Sequence, residues 1–332
     1  MVAFNVATYS PAFTLVPTYE CFNRCAYCNF RTDPAQSPWL TLADATRQLQ
    51  QLPAGVSEIL ILSGEVHPRS VRRTEWFRHI YQLCELSLSL GFLPHSNVGP
   101  LSWAEMTQLK QVNVSMGLML EQTTPSLLET VHRDAPSKRP ELRLQQLDWA
   151  GALKIPFTTG LLLGLGESEA DRWETLEAIA RSHRQWGHIQ EVILQPYSPG
   201  HQDNYSEKPF GSEDLIAVVA AARQLLPPEI TIQIPPNLML SPQTLLDCLS
   251  AGARDLGGIV PHDHVNPNYD HQDTGQLEQW LASRGWHLQP RLPLYPQFDA
   301  WVAPPLQDLV QRWRDRLGAR YTDHQPSVSP KS

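Results

Sequence analysis

The sequence is short of the features that would mark several large classes of protein. It has no surplus of basic charge: 26 Lys and Arg stand against 34 Asp and Glu, a formal balance of −8. That excludes binding of nucleic acid through a broad basic face, though not a small local anion site. No apolar run approaches the roughly 20 residues that span a bilayer. Met1–Ser10 lacks a basic segment followed by an apolar stretch, so the expectation is no secretory signal and a cytoplasmic setting. Internal repeats are absent. Cysteine is scarce, at 5 residues, too few for a disulfide framework in a chain of 332.

What is present is a hydrophobic content of 42%, enough for a large core, and 29 prolines concentrated between periodic segments. Short β-rich apolar runs alternate with longer helical patterns. Strands are expected at Phe13–Thr18, Glu58–Leu62, Phe92–Ser96, Val112–Leu118, Phe157–Leu163, Ile189–Gln195, Ile230–Ile234 and Arg254–Gly257. Helices are expected between them, including Thr74–Leu90, Leu127–His132, Glu141–Leu153 and Ala170–Trp186, with a last one at Leu306–Leu317. Ile59–Leu62 and Leu161–Leu163 are apolar on both faces, as in parallel strands covered by helices. The pattern therefore predicts an α/β fold, a (β/α) barrel, complete or partial, or a doubly wound sheet. In either, chemistry gathers at the C-terminal ends of the strands. The expected division is a catalytic unit over 1–260, a C-terminal extension packed on it over 261–322, and a disordered tail over 323–332.

Three of the five cysteines fall within eight residues. Cys21, Cys25 and Cys28 form C-x3-C-x2-C directly after the first expected strand. Thiolates at this spacing can ligate an iron–sulfur cluster, and three ligands leave one iron open to a substrate or cofactor. The competing reading is a zinc knuckle completed by His67 or Cys84, although zinc spacings usually come as paired C-x2-C units. Cys84 and Cys248 lie in helical patterns and read as core.

C-x3-C-x-aromatic-C after the first strand, with Tyr27 as the aromatic, resembles the signature of the radical S-adenosylmethionine superfamily. The resemblance implies a (β/α) barrel, a [4Fe-4S] cluster held by Cys21, Cys25 and Cys28, and S-adenosylmethionine chelated at the open iron. One electron from a low-potential donor then cleaves the sulfonium to a 5′-deoxyadenosyl radical. Other elements of the superfamily follow in order. Ser63-Gly64-Glu65 is similar to its Gly-Gly-Glu turn, with Ser63 in place of the first Gly. Ser115 and Glu121, near the end of the fourth strand, suit ribose or ammonium contacts, or a strand end meeting water. Arg143 suits a cofactor carboxylate, or simply the surface. Gly160–Glu167, with Gly164 in its turn, is similar to the element beside the adenine, and Gln195 ends the sixth strand where another adenine neighbour is usual.

Longer segments narrow the resemblance. Val16–Cys25, Ser63–Pro68, Gln233–Leu238 and Gly252–Gly258 resemble a family of radical lyases that close the deazaflavin ring, and the likeness runs to within about twenty residues of the end. The implied substrate joins the hydroxybenzyl group of tyrosine to a ribityl-bearing uracil, and a separate tyrosine-activating radical enzyme would supply it. Candidate substrate contacts at strand ends are Asn97, Asn237 and Asp255. His95 is the candidate base, because a free imidazole titrates near neutrality; the alternative is a histidine satisfied by backbone. His262-Asp263-His264 could hold a second metal or share a hydrated loop. Two rival readings are a sister enzyme coupling tyrosine to the uracil, and a non-catalytic iron–sulfur or zinc scaffold.

Overall fold

The computed structural model describes residues 5–205, 207–260, 262–271 and 273–322; the expected tail at 323–332 lies outside them. Its centre is a closed barrel of eight parallel strands. They are β1 (Asn5–Leu15), β2 (Glu58–Leu62), β3 (Leu93–Asn97), β4 (Ser115–Gly117), β5 (Phe157–Leu163), β6 (Ile189–Pro196), β7 (Thr231–Gln233) and β8 (Asp255–Ile259), each hydrogen-bonded to the next, with β1 pairing both β2 and β8. The barrel is thus the (β/α) form, and the doubly wound alternative falls. Parallel neighbours require a crossover, and the helices that make it cover the outside. The major ones are α1 (Leu42–Gln50), α2 (Arg73–Ser89), α3 (Trp103–Leu109), α4 (Pro140–Ala152), α5 (Glu169–Trp186), α6 (Ser212–Leu225) and α7 (Pro242–Ala251).

Local chemistry sets the helix starts. Ser102 and Glu105 form a reciprocal capping box at α3, as do Ser168 and Asp171 at α5. Gly187, at φ 66°, ends α5 in the left-handed conformation that glycine adopts without a Cβ penalty. Every residue of β5 is buried, with lumen on one side and helices on the other. Outside, Ile80 and Leu83 of α2 and Leu147 of α4 are buried in the same apolar core as Ile59 and Leu161.

The C-terminal region closes the barrel floor. Helix α8 (Thr274–Ala282) leads into a ninth strand, β9 (Trp286–Pro290), which pairs in parallel with Asn5–Tyr9 of β1. Because Ala12–Leu15 of β1 pair with β2, β9 occupies the stretch of β1 below β2, at the N-terminal ends of the strands. The chain then crosses beneath the lumen: the Pro293 carbonyl accepts hydrogen bonds from Ser115 Oγ (2.6 Å) and Gln190 Nε2 (3.0 Å). A final helix, α9 (Pro304–Thr322), packs Leu306, Val310 and Trp313 into a separate apolar cluster with Leu93 and Val114. The expected extension over 261–322 therefore supplies a sheet strand and the floor. Expected strand and helix positions hold to within a few residues, with two exceptions. β1 begins at Asn5, well before Phe13, and Leu127–His132 gives way to a 3-10 turn at Pro125–Glu129.

Candidate active site

The three cysteines lie on the loop after β1, at the C-terminal mouth of the barrel. Backbone bonds hold this loop in place: Cys21 N to Thr32 O (3.1 Å), Phe22 N to Glu65 O (3.0 Å), Arg24 N to Asp134 O (2.7 Å) and Ala26 N to Val131 O (3.0 Å). Burial pushes the Cys21 thiol up to about 11, and the Cys25 thiol up to about 12 despite the Lys138 cation nearby. Cys28 bears on both of these sulfurs, and Cys21 on that of Cys25, so the three share one neighbourhood. Cys84 and Cys248 are fully buried in the helical core and offer no fourth thiolate. Among the described residues no three His, Cys, Asp or Glu side chains, these cysteines included, meet closely enough for a single ion. A donor set of half-buried thiols spaced around a loop fits an inorganic cluster, whose ligands stand further apart than those of one zinc. The His262-Asp263-His264 group likewise forms no such site; His264 Nδ1 bonds instead to the Tyr19 hydroxyl at 2.8 Å.

Behind the loop, Ser63-Gly64-Glu65 leaves β2. Gly64 is required there, because a Cβ would stand 2.2 Å from the Glu20 carbonyl oxygen. Gly64→Ala is expected to cost about 1–3 kcal/mol through this backbone collision and to lower the iron bound per chain, measured by denaturation and metal analysis. Ser63 Oγ accepts from Trp76 Nε1 (3.0 Å) and donates to the Gly64 carbonyl (2.8 Å), so it braces the turn. The Glu65 side chain is largely withdrawn from solvent. It accepts from Asn23 Nδ2 (2.9 Å), within the cysteine loop, and from Arg143 Nη2 (3.3 Å). Arg143 is 1% exposed and also donates to the Ser137 and Met119 carbonyls. The surface alternative for this arginine is thereby removed.

Glu121 pairs with Lys138, a residue that sequence reasoning missed. Burial opposes ionisation of Glu121, but Lys138 and Arg143 overcome it and hold the carboxyl below its ordinary range. Two cations and two carboxylates, Lys138, Arg143, Glu65 and Glu121, thus line a chamber of about 330 Å³ together with Tyr27, Cys28, Ser63 and Gln195. The Tyr27 hydroxyl meets His132 Nε2 at 3.0 Å. Gly164, at φ 91°, shapes a turn whose amides bond to Glu167, and it stands outside the chamber wall.

Leu60, Leu62, Asn97, Met119, Ile193 and Gln195 line both this chamber and a second cavity of about 190 Å³ that runs down the lumen. Asn237 lines the inner cavity with its Oδ1 buried and unpartnered, while its Nδ2 donates to Asp263 and the Tyr269 carbonyl. Three expectations need correction here. Asp255 is 0% exposed, forms a bidentate pair with Arg291 (2.6 and 2.7 Å), and lies outside the cavity wall. Ser115 is also fully buried, its hydroxyl committed to Pro293 and His95, so it is unavailable to a cofactor. His95 does line the lumen, but burial and the neighbouring Arg291 cation push its imidazole down to about 3. It stays neutral at physiological pH, too weak a base for the expected role.

Arg291 and Glu191, both on the wall of the inner cavity, were missed. Arg291 binds Asp255 and Glu191 together, and with Asp255 already balancing the guanidinium, burial raises Glu191 to about 7. A carboxyl whose folded-state pKa stands above its unfolded value contributes stability that is whole below the unfolded range and lost as pH rises through the folded value. The thermal midpoint should therefore fall by several degrees between roughly pH 5 and pH 8, and the fall should shrink in Glu191→Gln, which a pH series of melting curves would measure.

A barrel with three mouth cysteines, an ion-balanced chamber beside them and a lumen beyond defines a radical S-adenosylmethionine enzyme, and the Radical SAM superfamily model matches residues 15–179. A 7,8-didemethyl-8-hydroxy-5-deazariboflavin synthase from Nostoc sp. is 63% identical over 312 residues, covering 94% of this chain and 92% of the relative. One from Synechococcus elongatus is 60% identical over 316 residues, covering 95% and 94%. The chain belongs to this family of deazariboflavin synthases, and its cofactors are a [4Fe-4S] cluster and S-adenosylmethionine. Among solved structures, the FeFe-hydrogenase maturase HydG from Carboxydothermus hydrogenoformans shares the fold at TM-score 0.70 and 17% identity, covering 96% of this chain and 79% of that one. Methylornithine synthase PylB does so at 0.68 and 14%, covering 90% and 86%. Among the described residues no helix is long and apolar enough to cross a membrane.

Proposed function

We propose that this enzyme closes the deazaflavin ring. It takes 5-amino-5-(4-hydroxybenzyl)-6-(D-ribitylimino)-5,6-dihydrouracil and S-adenosylmethionine to 7,8-didemethyl-8-hydroxy-5-deazariboflavin, 5′-deoxyadenosine, methionine and ammonium. The observation that carries this reading is the 63% identity, over 94% of the chain, to a synthase of that name. When bound, the cluster and S-adenosylmethionine supply the radical that removes a substrate hydrogen.

The chain's own residues position and shield. Cys21, Cys25 and Cys28 hold the irons. Lys138 and Arg143 suit a carboxylate, and Glu65 and Glu121 suit an ammonium, so the balanced outer chamber matches the zwitterionic end of the cofactor. Tyr27, Ser63 and Gly64 shape the wall around that end. Asn97 and Gln195 line both cavities and suit contacts with cofactor and adduct, and Asn237 has a free acceptor that suits the adduct within the lumen. Apolar Leu60, Leu62 and Ile193 between them keep water from a reactive intermediate.

The adduct itself would come from a tyrosine-activating radical enzyme, and the electron from a low-potential donor. The test is anaerobic incubation of the reconstituted enzyme with S-adenosylmethionine, reductant and synthetic adduct. Fluorescent deazaflavin is expected without tyrosine. A requirement for added tyrosine and the ribitylamino uracil would instead identify the sister coupling enzyme.

A further inference from the structure

The barrel runs from an apolar waist to a strongly polar floor. Glu58 opens β2, Thr158 is the second residue of β5, and Glu191 is the third of β6, so all three stand near the N-terminal ends of their strands. All line the inner cavity, together with His95 and Arg291. Gln195, at the chamber junction, stands four residues beyond Glu191 on the same strand, or about 13 Å toward the mouth at the usual rise. The floor is thus too far from the cysteine loop to hold a reacting atom.

The floor is rich in acceptors. Arg291 is occupied by Asp255, Glu191 and the Leu292 carbonyl. Ser115 donates its one hydroxyl proton to Pro293, so His95 Nδ1, 2.7 Å from that oxygen, must be the donor of their bond. The His95 Nε2 therefore carries a lone pair, and it lies against Gly117, where a Cβ would approach it to 2.9 Å. Asp255 and Arg291 also act on Glu58, and burial, the largest influence, raises its carboxyl. Glu191 already accepts from Arg291 at Oε1 and from Thr158 Oγ1 at Oε2 (2.8 Å), which leaves one lone pair on each oxygen. The carboxyl groups of Glu58 and Glu191 and the bare nitrogen of His95 thus line one enclosed space from β2, β6 and β3. Tyr295 and Thr8 turn to Asp255 instead.

We propose that this floor is the subsite for the polyhydroxyl tail of the substrate, with Glu58, Glu191 and His95 Nε2 accepting hydrogen bonds from the ribityl hydroxyls. The inference rests on the reaction proposed above. A ribityl chain offers a row of hydroxyl donors on a narrow stem, whereas the phenol offers one and must lie with the reacting carbons nearer the mouth. Threading the tail downward leaves the uracil edge level with Asn97, Gln195 and Asn237. This orientation makes the floor a determinant of specificity, since buried acceptors left without donors discriminate strongly against a truncated ligand.

The experiment measures binding of the fluorescent deazaflavin product to the holoenzyme, against an analogue carrying methyl in place of ribityl, alongside turnover of the matching adducts. The expected result is at least about 50-fold weaker binding of the methyl analogue, with a comparable rise in KM and a smaller change in kcat for its adduct. Glu58→Gln should narrow the gap between the two ligands, and Glu191→Gln, provided that its melting curve shows it folded, should do the same. Equal binding of the two ligands by the wild-type enzyme would overturn the inference. So would a loss of binding seen only when the phenol hydroxyl is removed. Failure of the wild-type enzyme to convert the full adduct would instead overturn the proposed reaction, so the two failures are separable.

Discussion

Replacing Cys25 by Ala is expected to abolish deazaflavin formation, by on the order of 10⁴-fold or more, while leaving the barrel folded. The thiol contributes little to the core. Its loop is tied down by backbone bonds from Cys21, Phe22, Arg24 and Ala26 to Thr32, Glu65, Asp134 and Val131, and none of these uses a cysteine sulfur. Cys21→Ala and Cys28→Ala should behave alike, with iron and sulfide falling together and far-ultraviolet circular dichroism unchanged. Cys84→Ala supplies the contrast. That thiol is fully buried against Ser96 and Asn113, and removing it should cost about 1–3 kcal/mol of stability while leaving iron content and 5′-deoxyadenosine formation near wild type. Loss of the cluster in Cys84→Ala would mean that a fourth side chain matters, and the open iron on which the chemistry depends would be in question.

The contrast between these cysteines was legible in the sequence because it depends on spacing alone. The same holds for β2 and β5, where the apolar runs Ile59–Leu62 and Leu161–Leu163 anchor strands predicted at Glu58–Leu62 and Phe157–Leu163, their observed bounds. β1 was less legible. Its first half, Asn5–Pro11, is mixed in polarity and carries a proline, and it becomes strand because β8 and β9 flank it. β9 is short and ends in Gln-Pro, so only tertiary pairing makes it a strand. In the site, residue type gave chemistry without direction. Asp255 and Ser115 open β8 and β4 at the N-terminal ends, away from the mouth, and each is consumed by a contact with the C-terminal segment, Arg291 in one case and Pro293 in the other. Arg291 and Lys138 carried no local signal at all. Their importance arises from which buried carboxylates they meet across the fold, and for Arg291 those partners lie 36 and 100 positions away.

Arg143 tests that dependence on burial most directly. An exposed arginine on α4 could be replaced at a cost within about 0.5 kcal/mol. Here the guanidinium is almost wholly enclosed and answers three acceptors at once: Glu65, the Met119 carbonyl and the Ser137 carbonyl. Arg143→Met keeps the stem but strands those groups, and breaking a buried pair from one side costs about 3–5 kcal/mol. The loss should appear as a lower denaturation midpoint at unchanged slope, since the same surface is exposed on unfolding. Activity should fall further than stability accounts for, because Glu65 would lose the partner that holds it against Asn23 of the cysteine loop. Glu65→Gln added to Arg143→Met removes the uncompensated carboxylate and should restore part of the stability, a coupling that a double-mutant cycle would read as non-additive. Strict additivity of the two changes would show that the pair does not act as a unit, and with it would go the view that this arginine locks the turn after β2 to the metal-binding loop.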